Sequence, residues 1–153
     1  MTSSTTTSTT TTNAGDFHLD QPVEAPAAQL RAAVDRVEDW WSSALDRSGR
    51  EFTVHFDQNW TRVRVEGDRW LVTAQDTPAL PVPDEWVGDT LTFTVEETGP
   101  GTSVLHFTHS GLLAQECADE CRPAWRYYIA SLVSLAETGE GRPWRPGLEA
   151  TGG

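Results

Sequence analysis

Four side chains able to bind a metal or undergo redox chemistry fall within one short tract, His106, His109, Cys117 and Cys121, spaced H-x2-H-x7-C-x3-C. Imidazole nitrogen and thiolate sulfur are both zinc ligands. His106 and His109 lie three apart on a segment with strand periodicity, so alternation sends them to opposite faces and they cannot share an ion. Cys117 and Cys121 are i, i+4 on a predicted helix and do share a face. A His109/Cys117/Cys121 set is geometrically open to zinc, with water or a fourth ligand completing it. The paired C-x2-C spacing of structural zinc sites is missing, however, and a small buried thiol is a common core residue. The reading is therefore no metal and no cofactor. An intrahelical disulfide is excluded by Cβ atoms ~6 Å apart at i, i+4.

The second chemistry is acid–base. His109 shares a strand face with Leu105 and Phe107, so it is placed at the edge of the interior, and Tyr128 on the closing helix offers a hydroxyl. The simpler expectation is a His109 that bonds a backbone carbonyl at its strand end and a Tyr128 that is core with its hydroxyl satisfied. No catalytic residue is assigned. Ser110 beside His109 makes no nucleophile–base pair by adjacency, and no G-x-S-x-G elbow occurs.

These residues need elements to hold them. Phe17, Leu19 and Val23 alternate with His18, Asp20 and Glu24, which is strand spacing. Leu30, Val34, Val37 and Trp41 then recur at four, three and four, an apolar helical stripe that follows Pro26 and runs to about Ser48-Gly49. "REFTVHF" puts Phe52, Val54 and Phe56 on one face. Two hairpins follow, turning at Glu66-Gly67-Asp68 and at Gly99-Pro100-Gly101. Between them lies a loop with Pro78, Pro81 and Pro83, which rules out a central strand there. The last element is a helix over about 116–137 with Cys121, Trp125, Tyr128, Ile129, Leu132 and Leu135 on one stripe, and Gly139 as its C′ residue. A single sheet with one apolar face needs a cover, and this helix is long enough to lie across it.

Composition narrows the function. Lysine is absent, all 11 basic residues are arginine, and 23 acidic residues bring the formal charge to -12. Nucleic-acid phosphate and anionic membranes both call for a basic face, so neither is an expected partner. Without lysine there is no Schiff base and no phosphate-loop lysine. No apolar run reaches membrane-spanning length and no secretory signal is recognisable, so membrane insertion is not expected and a cytoplasmic location is. Residues 1–14 are Ser/Thr-rich and expected to be disordered, 15–141 form one domain, and 142–153 are a flexible tail from which Trp144 can dock back.

The order strand, helix, antiparallel strands, long helix resembles the START/SRPBCC superfamily. Within it, the chain is similar to the prokaryotic branch related to the activator of the heat-shock-chaperone ATPase. The resemblance rests on "VEAPAAQLRAAV" leading to Trp40-Trp41, "EWVGDTLTFTVEE", "LHFTHSGL" and "CRPAWRYYIASLVSLAETGEGRP". It implies an α+β helix-grip fold, in which a curved antiparallel sheet of about six strands wraps a long C-terminal helix and an N-terminal helix follows the first strand. It also implies a largely apolar pocket under that helix. The candidate lining residues are Trp41, Phe52, Phe56, Trp86, Phe93, Phe107, His109, Trp125, Tyr128 and Leu132. Trp86, after the proline-rich loop, is the expected rim or lid, and about two of Trp40, Trp41, Trp60, Trp70, Trp86 and Trp125 are expected in the wall. The leading function is binding of a hydrophobic small molecule, a lipid or an aromatic polyketide-like compound. The alternatives are a co-chaperone-like module with a chaperone or other protein partner, and a polyketide cyclase or dehydratase.

Overall fold

The computed structural model describes residues 15–78 and 80–145. The Ser/Thr-rich stretch 1–14 lies outside them, as does the tail from 146. Among the described residues, seven strands make one antiparallel sheet: β1 (Phe17–Val23), β2 (Leu45–Ser48), β3 (Glu51–Phe56), β4 (Asn59–Glu66), β5 (Arg69–Asp76), β6 (Thr90–Gly99) and β7 (Thr102–His109), in the order β1-β7-β6-β5-β4-β3-β2. Two short helices, α1 (Ala27–Asp35) and α2 (Val37–Trp40), follow β1, and α3 (Ala118–Thr138) closes the fold. At 1.5 Å per residue α3 is ~32 Å long, enough to cross the curved sheet.

The alternating residues face as their spacing requires. Leu105, Phe107 and His109 on β7 are buried, and the residues between them are half-exposed. In α3 the 3.6-residue period puts Cys121, Trp125, Ile129, Leu132 and Leu135 against the sheet. Gly139 takes φ 86°, and its N–H donates to the Leu135 carbonyl, ending the helix in the left-handed conformation that glycine tolerates.

Two features depart from the sequence reading. The helix expected to run from Pro26 to about Ser48 breaks at Arg36, whose φ −89°, ψ 59° leave the helical region. Past α2, the chain then enters β2, an edge strand that pairs with β3 across Gly49, and this raises the strand number from about six to seven. The four residues of β2 are half-exposed or exposed, so no apolar alternation advertised the strand. The start of the expected tail is anchored: Trp144 exchanges backbone hydrogen bonds with Trp41 and Ser43, and its ring meets Phe56 at 5.9 Å.

Tryptophans fill most of the space between sheet and α3. Trp40, Trp70 and Trp41 stack with centroids 5.8–6.4 Å apart. Trp41 meets Trp125 at 5.2 Å, and Trp125 stacks on Trp86 at 5.7 Å. The interior is thus a continuous aromatic file, packed at one end and opening at the other.

Candidate functional site

β5 and β6 part after only three residue pairs, Arg69–Thr92 to Leu71–Thr90. The chain between them, described over residues 77–78 and 80–89, crosses the gap as a strap of turns. Its backbone is pinned at both ends, by Thr77 N–H to the Pro83 carbonyl and by Gly88 N–H to the Val72 carbonyl. Side chains fix the middle. The Gln75 carbonyl oxygen accepts from the Trp86 backbone N–H at 2.9 Å, and its amide donates to Thr61 at 3.1 Å. Both Glu85 carboxylate oxygens accept from the backbone of Glu116 and Cys117, at 2.7 and 3.2 Å, tying the strap to the start of α3. A carboxylate there also meets the positive end of the helix dipole.

Strap, sheet and helix leave a cavity of about 220 Å³ between them. Trp41, Trp86 and Trp125 make its aromatic wall, with Phe56, Leu80 and Tyr128 toward the mouth and Cys121 and Ala124 on the helix side. Its polar groups are few. Thr61 and Gln75 are engaged with each other and with Trp86, while the Tyr128 hydroxyl has no hydrogen-bond partner among the described residues. Burial pushes the Tyr128 pKa up to about 12, so the phenol stays protonated and is a free donor at the cavity.

His109 is 0% exposed and sits behind this wall, edge-on to Trp86 at 4.6 Å. Trp125 Nε1–H donates to its Nδ1 at 3.0 Å, and its Nε2–H donates to Asp89 at 2.8 Å. The indole can only donate, so His109 is the neutral Nε2–H tautomer. Asp89 also accepts from Gln115 at 2.7 Å. Both ring nitrogens are therefore spent on protein partners, which are side chains and not the strand-end carbonyl expected from sequence. No lone pair is left for a metal. The two cysteines are free and buried, and desolvation raises both thiol pKa values, so they behave as small apolar groups. Trp86 Nε1–H points at Cys117 sulfur at 3.4 Å.

No protein-family model and no curated protein sequence matches the chain. Solved structures do superpose on it. The Aha1 dimer from Colwellia psychrerythraea aligns with TM-score 0.64 and 19% identity over 82% of this chain and 98% of that one. A START superfamily protein from Mycobacterium smegmatis aligns at 0.54 and 11%, over 78% and 97%. The chain has the helix-grip fold. The di-domain ARO/CYC StfQ from the steffimycin biosynthetic pathway shares it, at 0.56 and 16% identity over 80% of this chain and 45% of that one.

The helix-grip arrangement divides the ten sequence-nominated residues in two. Trp41, Phe56, Trp86, Trp125 and Tyr128 line the cavity. Phe52, Phe93, Phe107, Leu132 and His109 are buried in the packing beyond it and do not line it. Trp86 sits on the strap, where the rim was expected. Sequence reasoning passed over Gln75 and Glu85, which hold the strap; the only signal for them was a polar residue at an inward strand position and an acid next to Trp86.

The helix-grip interior also sets an acid limit. Burial outweighs the Asp89 and Asp16 carboxylates and lowers the His109 pKa from 6.5. The unfolded chain binds a proton at this residue below about pH 6.5, while the folded chain resists until a lower pH. Over that window unfolding takes up a proton, so stability falls as pH drops and is fully present above 6.5. Urea denaturation from pH 7.5 to 5 should show this loss, and His109→Gln should flatten the slope. A slope unchanged in His109→Gln would contradict the assignment.

Proposed function

We propose that this protein binds a small hydrophobic molecule, about one substituted ring in size and carrying one hydrogen-bond acceptor, in the cavity under α3. The observation that carries the reading is the aromatic-walled space of about 220 Å³ with the protonated Tyr128 hydroxyl, which has no hydrogen-bond partner among the described residues, on its lining. A dry engineered cavity of ~150 Å³ takes up benzene, whereas drug-sized ligands occupy roughly 300–1,000 Å³. Size therefore favours a compact ring over a lipid chain or a fused polycycle. The wall desolvates the ring, and the phenol meets a carbonyl or ether oxygen.

An enzymatic reading such as a cyclase or dehydratase calls for an acid–base pair facing the ligand. His109 is closed off behind Trp86 and Trp125 with both ring nitrogens engaged, and the other ionisable groups on the lining, Glu120, Cys121 and Tyr128, include no imidazole, so binding is favoured over catalysis. The likeness in shape to the Aha1 dimer supports a protein-interaction module as the second reading.

Acetophenone is a suitable probe, having one ring and one acceptor, with decanoate as the chain-like comparison. Acetophenone should quench tryptophan emission saturably and more tightly than decanoate, and Tyr128→Phe should weaken it several-fold. Native mass spectrometry of protein purified from its host should show a small aromatic adduct. Clean apo-protein in every preparation, together with no saturable quenching, would overturn the binding reading in favour of the interaction module.

A further inference from the structure

The outer face of the sheet carries a cluster that the cavity does not use. His18 and Asp20 are i, i+2 on β1 and so point to the same side, and the register pairs Asp20 directly with His106 on β7. Asp20 Oδ1 lies 2.6 Å from His18 Nε2 and 2.5 Å from His106 Nδ1. The two imidazoles are stacked 16° from parallel with centroids 6.4 Å apart, and the three ligating atoms all lie within 4.8 Å of one another. Among the described residues this is the one group of three such donors that converges.

The opposite nitrogen of each ring is also held. His18 Nδ1 is 2.7 Å from the Thr108 hydroxyl, and His106 Nε2 donates to the Glu96 carboxylate at 2.9 Å. Metal-bound histidines use this same outer shell: the free ring N–H donates to a carboxylate or hydroxyl oxygen, which fixes the tautomer and turns the other nitrogen's lone pair toward the ion. The ligands come from two adjacent strands hydrogen-bonded along their whole length, so the backbone is pre-organised. Asp20 and Glu96 bring two negative charges to match a dication.

We propose that His18 Nε2, Asp20 Oδ1 and His106 Nδ1 bind a divalent transition-metal ion of the zinc class on the outer face of the sheet, with water completing the coordination. Two imidazoles and one carboxylate select zinc, copper, nickel or cobalt over magnesium and calcium, which prefer all-oxygen sites. Zinc–ligand bonds of ~2.1 Å put tetrahedral ligand atoms ~3.4 Å apart, so Asp20 must move outward by under ~1 Å. Its side chain is 57% exposed on an edge strand and has room to do so. The overall charge of -12 raises the local concentration of divalent cations. The solvent-facing water would leave the ion accessible to small anionic ligands.

Isothermal titration of the full chain with zinc chloride in a non-chelating buffer tests this. Wild type should bind one equivalent. His18→Ala and His106→Ala should each weaken binding at least tenfold, and Glu96→Gln, which leaves the ligands in place, by about ten- to a hundredfold. His55→Ala, which removes the separate exposed His55–Asp46 pair, should change nothing. Cobalt should give visible d–d absorption in wild type that is lost in His106→Ala. All these side chains are at the surface, and far-UV circular dichroism checks each fold; two independent histidine variants keep the test readable if one misfolds. No saturable zinc uptake by wild type, wild-type affinity in both histidine variants, or loss only in His55→Ala would each overturn the site.

Discussion

Trp125→Ala is expected to lower the unfolding free energy by about 3–5 kcal/mol, the range for deleting a buried tryptophan. The indole is 2% exposed. It meets Phe107 at 4.5 Å, Trp41 at 5.2 Å and Trp86 at 5.7 Å, so the truncation removes the central member of the aromatic file. It also removes the donor to His109 Nδ1, leaving a buried acceptor unpaired. Trp125→Phe separates the two effects. It keeps most of the ring packing and loses the N–H, for which about 1–3 kcal/mol is expected. Both should shift the urea midpoint with little change in slope. An alanine variant within about 1 kcal/mol of the parent would mean that the file relaxes around the gap and that Trp125 is not its keystone.

Ala124→Phe should abolish most ligand binding while leaving the fold intact. Ala124 lies on the solvent side of α3 and still lines the cavity, beside Cys121 and Tyr128 at i−3 and i+4. A phenyl ring at that position reaches into the mouth and competes with the ligand for the same volume. The expected loss in acetophenone affinity is more than tenfold, about 1.4 kcal/mol or more. The cost to stability is small, because the site is exposed and phenylalanine is less favourable than alanine in a helix by only about 0.5 kcal/mol. Unchanged affinity in a folded Ala124→Phe protein would place the ligand elsewhere. The two substitutions are complementary: one tests what the aromatic file contributes to the fold, the other what the space beside it contributes to function.

Strand and helix periods were legible because they are local. Alternation along Phe17–Val23 and Thr102–His109, the hairpin glycine at 67, and the stripe from Cys121 to Leu135 each follow from neighbours within a few residues. The same local rule put His106 and His109 on opposite faces, and it ended the long helix at Gly139. It failed where burial gave no pattern. β2 is an exposed edge strand, and the break at Arg36 interrupts an otherwise continuous apolar stripe.

By itself, the sequence determined the closing helix, the antiparallel run, the tryptophan-rich interior and the strongly acidic net charge. Tertiary structure alone decided which tryptophans border empty space, because the cavity exists where β5 and β6 part and the strap crosses, and no short-range period encodes where two strands separate. It also decided the fate of the histidines. His109 is neutralised as a reagent by Trp125, 16 positions away, and Asp89, 20 positions away. His106 gains its partner Asp20 from 86 positions away through strand register. Side-chain chemistry depends on separations of about 3 Å, and only the folded register brings such distant residues that close.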